Sequence, residues 1–180
     1  MDITQLIQDD HQEQRRIFAI LEQISADDSK GLAFVWARLA SFLEVHAKAE
    51  EEFFYPELLK LGAGAGGKPT PEAETKDAIK DHNEIRDAIA QVGKHEVGTD
   101  VWFDAVAKAN EANSDHMGEE ERQGLTDFRL HADLATRHAL AVKFITFEAR
   151  HVDGVVPKDI RPADYIREHS AGSLPAQVSE

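Results

Sequence analysis

The amino-acid sequence predicts an all-α fold, an up-down-up-down four-helix bundle with an additional C-terminal helix and an irregular tail. Apolar residues recur at the three- and four-residue spacing of amphipathic helices, and no stretch alternates as a strand would. A short motif also occurs twice: His46 and Glu50 form one HxxxE pair, and His116 and Glu120 form another. This repeat indicates two copies of one helical hairpin.

The first hairpin is predicted from two apolar stripes. The first stripe predicts a helix over about residues 3 to 25. The second begins at Leu32 and predicts a helix that Pro56 disturbs near its end, because proline lacks the backbone N–H that a helix interior needs. The stretch GAGAGGKP, residues 62–69, predicts a flexible connection to the second hairpin.

The second hairpin has its own start and stop signals. Thr70 and Pro71 suit the N-terminal positions of a helix, so the third predicted helix begins there. Residues 93–100 are a polar loop, and the fourth predicted helix begins near Trp102 and ends or weakens at Gly124. The bundle is therefore expected to occupy residues 1–127.

The rest of the chain is predicted to be an extension of the bundle. An apolar stripe within residues 128–151 predicts an extra helix packed on the bundle. From residue 152 onwards the chain contains Pro157, Pro162 and Pro175 and loses helical periodicity. Residues 152–180 are therefore predicted to form an irregular C-terminal tail.

Composition excludes several classes of protein. The net charge of −14 over 180 residues disfavours binding to nucleic acid or to an anionic membrane. The absence of cysteine excludes disulfides, thiolate metal sites and thiol catalysis. No stretch has the pattern of a signal peptide or the length of a membrane span, so a cytoplasmic protein is expected. Any metal must be held by histidine and carboxylate, which suits iron, manganese or zinc.

The repeated motif predicts such a metal site. His11 precedes His46 by 35 residues and His82 precedes His116 by 34, so each hairpin offers the same kinds of side chain. All four histidines lie on apolar helix faces, and each HxxxE glutamate lies one turn after its histidine on the same face. Buried carboxylates without partners are costly, and bound cations would compensate them. The candidate metal ligands are His11, His46, Glu50, His82, His116 and Glu120.

The ligand count indicates the kind of chemistry. If both glutamates bridge, each of two metal ions receives two imidazole nitrogens and two carboxylate oxygens. A bridging oxide or hydroxide gives each ion a fifth ligand and leaves a position open to a small molecule. Such a site suits redox chemistry better than structural zinc, which prefers a closed tetrahedral set of ligands.

These residues resemble the hemerythrin-like (HHE cation-binding) domain. The resemblance covers about residues 3 to 127, including the segments HAKAEEEFFYP and HMGEEER. It implies a non-haem centre of two iron ions, bridged by carboxylates and by an oxo or hydroxo group, inside a four-helix bundle. A mixed iron–manganese site remains open.

The chain departs from the oxygen-carrying members of that family at two positions. Carriers have a second histidine four residues after the third helix's histidine, and this chain has Arg86 there. We expect Arg86 to point away from the iron ions or to pair with a carboxylate such as Asp10, Asp81 or Glu13. Carriers also have an aspartate five residues after the fourth helix's histidine. Here Glu121 has that position, and Glu120 is preferred as the ligand because it matches the first hairpin.

The predicted function follows from this site. A catalase-like, peroxidase or nitric-oxide-reactive di-iron centre is expected, with peroxide or a small diatomic molecule as the reacting partner. The alternative is an iron- or oxygen-sensing or storage module without turnover, and reversible oxygen carriage is a third hypothesis that Arg86 disfavours. Tyr55 is expected either to pack at the end of its helix or to act as a hydrogen-bonding or redox group near the site. The neighbouring Glu51 is expected to lie on a solvated face.

Overall fold

The computed structural model describes residues 1–170, and within that range the chain is helical and contains no strand. An all-α fold is therefore confirmed, and residues 171–180 of the predicted tail lie outside the described residues. The helices, in chain order, are α1 (Ile3–Leu21), α2 (Ser29–Ala49), a π-helix (Glu50–Phe54), α3 (Tyr55–Leu61), α4 (Pro71–Val92), α5 (Asp100–Arg122), α6 (Gly124–His131), α7 (Leu134–Arg150) and α8 (Pro162–His169).

Polar side chains fix where the long helices begin. The side chains of Asp2, Asp28, Thr70 and Thr99 each accept a hydrogen bond from a backbone N–H in the first turn of α1, α2, α4 or α5. The prediction that the third helix begins at Thr70 or Pro71 is confirmed. The first helix ends at Leu21 rather than near residue 25, because the chain already enters the polar turn that leads to the cap of α2.

The second long helix changes its winding where the sequence predicted a disturbance. The π-helix Glu50–Phe54 follows α2, and α3 then carries Pro56 in its first turn, where a missing N–H costs little. A π-helical turn inside an α-helix commonly marks a functional position. Here it allows the consecutive residues Glu50 and Glu51 both to be buried.

The apolar core is divided into two clusters with polar residues between them. Along α1, Ile7 belongs to the first cluster and Ile17 to the second, with buried His11 between them. Along α4, Ile79 belongs to the first cluster and Val92 to the second, and buried His82 lies between. Helix α1 packs against α2, and α4 packs against α5. The candidate ligands therefore lie in the middle of the core.

The extension is more ordered than the sequence indicated. Helix α7 packs on α1 and α2, as expected for an extra helix, and α6 precedes it. The prediction of an irregular tail is wrong for residues 162–169, which form α8 against α4. Pro162 lies in the first turn of α8, where proline is tolerated, so it begins a helix rather than preventing one. None of the described helices is long and apolar enough to cross a bilayer.

Candidate metal centre

The six candidate ligands are brought together and buried between the two apolar clusters. In the first half of the site, Nε2 of His46 lies 3.0 Å from Oε1 of Glu50, and Nε2 of His11 lies 3.3 Å from Oε2 of Glu120. One ligand atom from each of His11, His46 and Glu50 lies within 4.8 Å of the others. These three residues, which we call the first triad, come from α1, α2 and the π-helix.

The second half of the site uses the other oxygen of the same glutamate. Oε2 of Glu50 lies 3.2 Å from Nε2 of His82, and that nitrogen lies 3.2 Å from Nε2 of His116. Glu50, His82 and His116 form the second triad, again with ligand atoms within 4.8 Å of one another. Glu50 therefore belongs to both triads, as a bridging carboxylate would.

The hydrogen bonding of these atoms fits a metal pair. Among the described residues, five inward-facing atoms are buried and have no hydrogen-bond partner: Nε2 of His11, Nε2 of His46, both oxygens of Glu50 and Oε2 of Glu120. Buried polar atoms in this state are costly, and a carboxylate more so than a neutral group. Cations between the triads would satisfy all five atoms, so the donor set fits two metal ions held by nitrogen and oxygen.

Glu120 has a different environment from Glu50. Its Oε2 faces His11, but its Oε1 accepts a hydrogen bond of 2.6 Å from the hydroxyl of Tyr55. Burial, together with the charges of Glu120 and Glu50, raises the pKa of Tyr55 well above its usual value, so the phenol keeps its proton. Both glutamates were expected to face a pair of histidines with each oxygen. Glu50 has this geometry, whereas one oxygen of Glu120 faces His11 and the other accepts a hydrogen bond from Tyr55.

Each imidazole is also held from behind by a carboxylate. A ring whose Nδ1–H donates to a carboxylate presents the lone pair of Nε2 to the centre, as metal-binding histidines do. The Nδ1 contacts are His11 with Glu121 (3.0 Å), His46 with Asp10 (3.2 Å), His82 with Glu51 (3.1 Å) and His116 with Asp81 (3.7 Å). The first three contacts are within hydrogen-bond distance, so His11, His46 and His82 are oriented in this way, whereas the contact of His116 is longer.

Sequence reasoning missed this outer ring of carboxylates. Glu51 was expected on a solvated face, but it is only 2% exposed, because the π-helix turns it towards His82. Glu121 contacts Nδ1 of His11, whereas Glu120 faces the centre. A signal was present, since an aspartate precedes His11 and His82 in both copies and a second glutamate follows each HxxxE pair.

Two arginines complete the outer ring. In the first copy Nη2 of Arg15 lies 2.9 Å from Glu121. In the second, Arg86 lies 2.7 Å from Glu51 and 3.2 Å from Glu44. Arg86 does pair with carboxylates, but the partners expected from the sequence, Asp10, Asp81 and Glu13, were wrong. Those partners could not be foreseen, because the sequence alone does not show that Glu44 and Glu51 are buried beside α4.

The carboxylates of the site raise the pKa of the imidazoles of His46 and His82. Burial alone would lower the pKa of His82, but its close contacts with the carboxylates of Glu50 and Glu51 outweigh burial and raise the pKa to about 9. Burial would likewise raise the pKa of Glu50, but His46 and His82 hold it well below its usual range. Protonation of His46 and His82 would therefore compensate the charge of Glu50 in the metal-free protein.

These pKa shifts predict how the stability of the metal-free protein and its affinity for metal depend on pH. The pKa of His82 is raised above its ordinary 6.5, so its protonation contributes stability that is fully present below about pH 6.5 and is lost as pH rises through about 9. Metal requires the neutral ring, so metal affinity should rise over the same interval. Melting of the metal-free protein and calorimetric metal titrations across this interval test both trends. A metal affinity that does not change with pH would contradict the assignment of His82.

Comparison with known proteins agrees with this geometry. A family model described as the hemerythrin HHE cation binding domain matches residues 2–125. That range includes all six candidate ligands and the carboxylates behind the histidines. Neither the curated proteins nor the solved structures gave a match.

Proposed function

The chain belongs to the hemerythrin HHE cation-binding family, and from that membership we propose that it holds two iron ions in a carboxylate-bridged centre that reacts with peroxide, dioxygen or nitric oxide. The observation that carries the proposal is the position of Glu50, whose two buried oxygens face different pairs of histidines. The four long helices α1, α2, α4 and α5 form the up-down-up-down bundle that supports the centre.

The residues divide between the two ions. His11 and His46 would hold one ion, His82 and His116 the other, and Glu50 would bridge them. Glu120 would bind on the side of His11, where its free oxygen lies. Iron supplies a ferrous–ferric redox couple when bound, and the mixed nitrogen and oxygen ligands suit iron or an iron–manganese pair better than structural zinc.

Arg86 supports reaction over reversible carriage. It has the position of a carrier's additional histidine, but its guanidinium pairs with Glu44 and Glu51 behind His82 rather than facing the centre. Arginine stays protonated and cannot serve as a ligand there. Each ion would therefore be held by only two imidazoles, and an oxygen-rich ligand set would favour the ferric state.

Tyr55 places a protonated hydroxyl beside the centre. Its hydroxyl donates to Glu120, and both residues line a narrow cleft of about 10 Å³ together with His116. That volume is about what a single water molecule needs, so the cleft would admit peroxide or a diatomic molecule only after a small displacement. The hydroxyl of Tyr55 therefore lies where such a ligand would arrive, with its proton donated to Glu120.

One observation favours the alternative, an iron- or oxygen-sensing module without turnover. The hydroxyl of Tyr165, on α8, donates to the backbone carbonyl of Glu51 in the π-helix. Residues beyond the family match therefore contact the outer ring of the site directly. A change in metal occupancy that moves the π-helix would therefore alter the packing of α8, and a sensor requires coupling of this kind.

Metal content and peroxide turnover test the proposal. The purified protein should contain close to two iron ions per chain by elemental analysis, because Glu50 joins two separate triads. The ferric protein should release oxygen from hydrogen peroxide faster than a His116→Ala control, which lacks one ligand of the second triad. One zinc ion per chain would refute the di-iron assignment. Two iron ions with turnover no faster than the control would favour the sensing module.

A further inference from the structure

A second group of metal-ligand atoms lies behind His46, on the side away from Glu50. Asp10, Nδ1 of His46 and Glu148 each place one ligand atom within 4.8 Å of the others. His46 is 4% exposed, so its Nδ1 is presented to this group from within the core. Imidazole nitrogen with two carboxylate oxygens is a set of ligands that divalent transition metals favour.

Glu148 differs from the other two members of the group in its position in the chain and in its hydrogen bonding. It lies on α7, beyond the residues that the family model matches, and its Oε1 is buried without a hydrogen-bond partner. It also faces Asp10, so two like charges are held together in a partly buried place. Like charges in that arrangement repel, and a cation between them removes the repulsion.

A wide cavity reaches one member of this group, Glu148. It has a volume of about 570 Å³, and Glu148 forms part of its wall. Glu13, His151 and Asp153 also line it, and Arg38 at its edge pairs with Glu13. Its wall contains three carboxylates and one arginine, and on a chain of net charge −14 this excess of negative charge concentrates cations at its mouth.

We propose that Asp10, Glu148 and Nδ1 of His46 form an entry site, at which a divalent metal ion binds on its way from the 570 Å³ cavity to the buried centre. This inference rests on the proposed metal centre. The ring of His46 separates the two sites, since Nδ1 faces Asp10 while Nε2 faces Glu50. Rotation of this ring would let the ion pass to the free oxygens of Glu50. Once the centre is filled, Asp10 again accepts from Nδ1–H of His46.

The cleft beside Tyr55 is the rival route, and its dimensions disfavour it. It reaches His116 and Glu120 directly, but its volume is about 10 Å³, against about 570 Å³ for the cavity at Glu148. A hydrated divalent ion is larger than the single water that the narrow cleft would hold. Glu119 lines this cleft and provides a carboxylate of the same charge for comparison.

Cobalt uptake by the metal-free protein tests the entry site. Co²⁺ does not oxidise readily, and its visible absorption on binding can be followed by stopped flow. The Glu148→Gln variant should take up cobalt roughly tenfold more slowly than wild type, within the range by which charged clefts accelerate association. Its final cobalt content should equal that of wild type, because Glu148 is not a ligand of the centre. The matched Glu119→Gln variant should load at the wild-type rate.

The outcomes separate this inference from the proposed function. Equal rates for wild type and Glu148→Gln, or equal slowing by Glu119→Gln, would overturn the entry site while leaving the centre intact. A wild-type protein that binds no cobalt would overturn the centre itself, and the entry site with it. Glutamine matches glutamate in shape and relieves the repulsion from Asp10, so the variant should melt no earlier than wild type. Its melting curve and helical circular dichroism check that it is folded.

Discussion

Replacing Glu50 with alanine should remove metal from both triads, which is the largest loss expected of any single substitution. Each oxygen of Glu50 faces a different pair of histidines, so no other candidate ligand serves both ions. The variant should also lose the stabilisation that bound metal gives the native state, about 2.7 kcal/mol when free metal is about 100 times its dissociation constant. Elemental analysis and melting with and without added iron measure both effects.

Glu52→Ala is the matched control, because Glu52 lies two residues away in the same π-helix and pairs with Lys48 at the surface. It should retain the metal content and melting behaviour of wild type. Glu120→Ala should fall between the two, since only one of its oxygens faces a histidine and the other accepts from Tyr55. A Glu50→Ala protein that still holds one ion firmly would show that the triads do not depend on a shared carboxylate.

The six candidate ligands could be predicted because their signal is local and repeated. An HxxxE pair places both side chains on one helix face whatever the tertiary structure, and the apolar neighbours of His11 and His82 show which face is buried. Two copies at nearly equal spacing then predict that the faces meet. The helix start at Thr70 was visible for the same reason, since capping depends on a few adjacent residues.

The features that the sequence did not predict depend on contacts between segments that are distant in the chain. Whether Glu51 is solvated or buried depends on the π-helix, which hydrophobic periodicity does not predict. Glu44 and Arg86 are 42 residues apart in sequence, and their pairing needs α2 and α4 to be in place. Helix α8 is short and begins at a proline, so its few apolar residues gave no periodic signal, although Tyr165 is buried.

The two arginines of the outer ring should differ greatly in their contribution to stability, although the sequence places them at matching positions. The Arg86 side chain is 6% exposed and that of its partner Glu51 is 1% exposed. In the other copy, the side chains of Arg15 and Glu121 are 34% and 27% exposed. Removing one partner of a buried ion pair strands the other charge, whereas a partly solvated pair contributes little because water replaces the lost partner.

The Arg86→Met variant should therefore unfold about 3–5 kcal/mol more easily than wild type, because the buried carboxylates of Glu44 and Glu51 lose the guanidinium that pairs with both. The Arg15→Met variant should lose only about 0–1 kcal/mol. Urea unfolding of the metal-free proteins measures both differences, with methionine keeping most of the side-chain length. The stranded carboxylates can protonate, so the loss in Arg86→Met should be larger at pH 8 than at pH 5. Equal losses for the two variants, or no dependence on pH, would show that the buried network around Arg86 does not hold the charges that its geometry indicates.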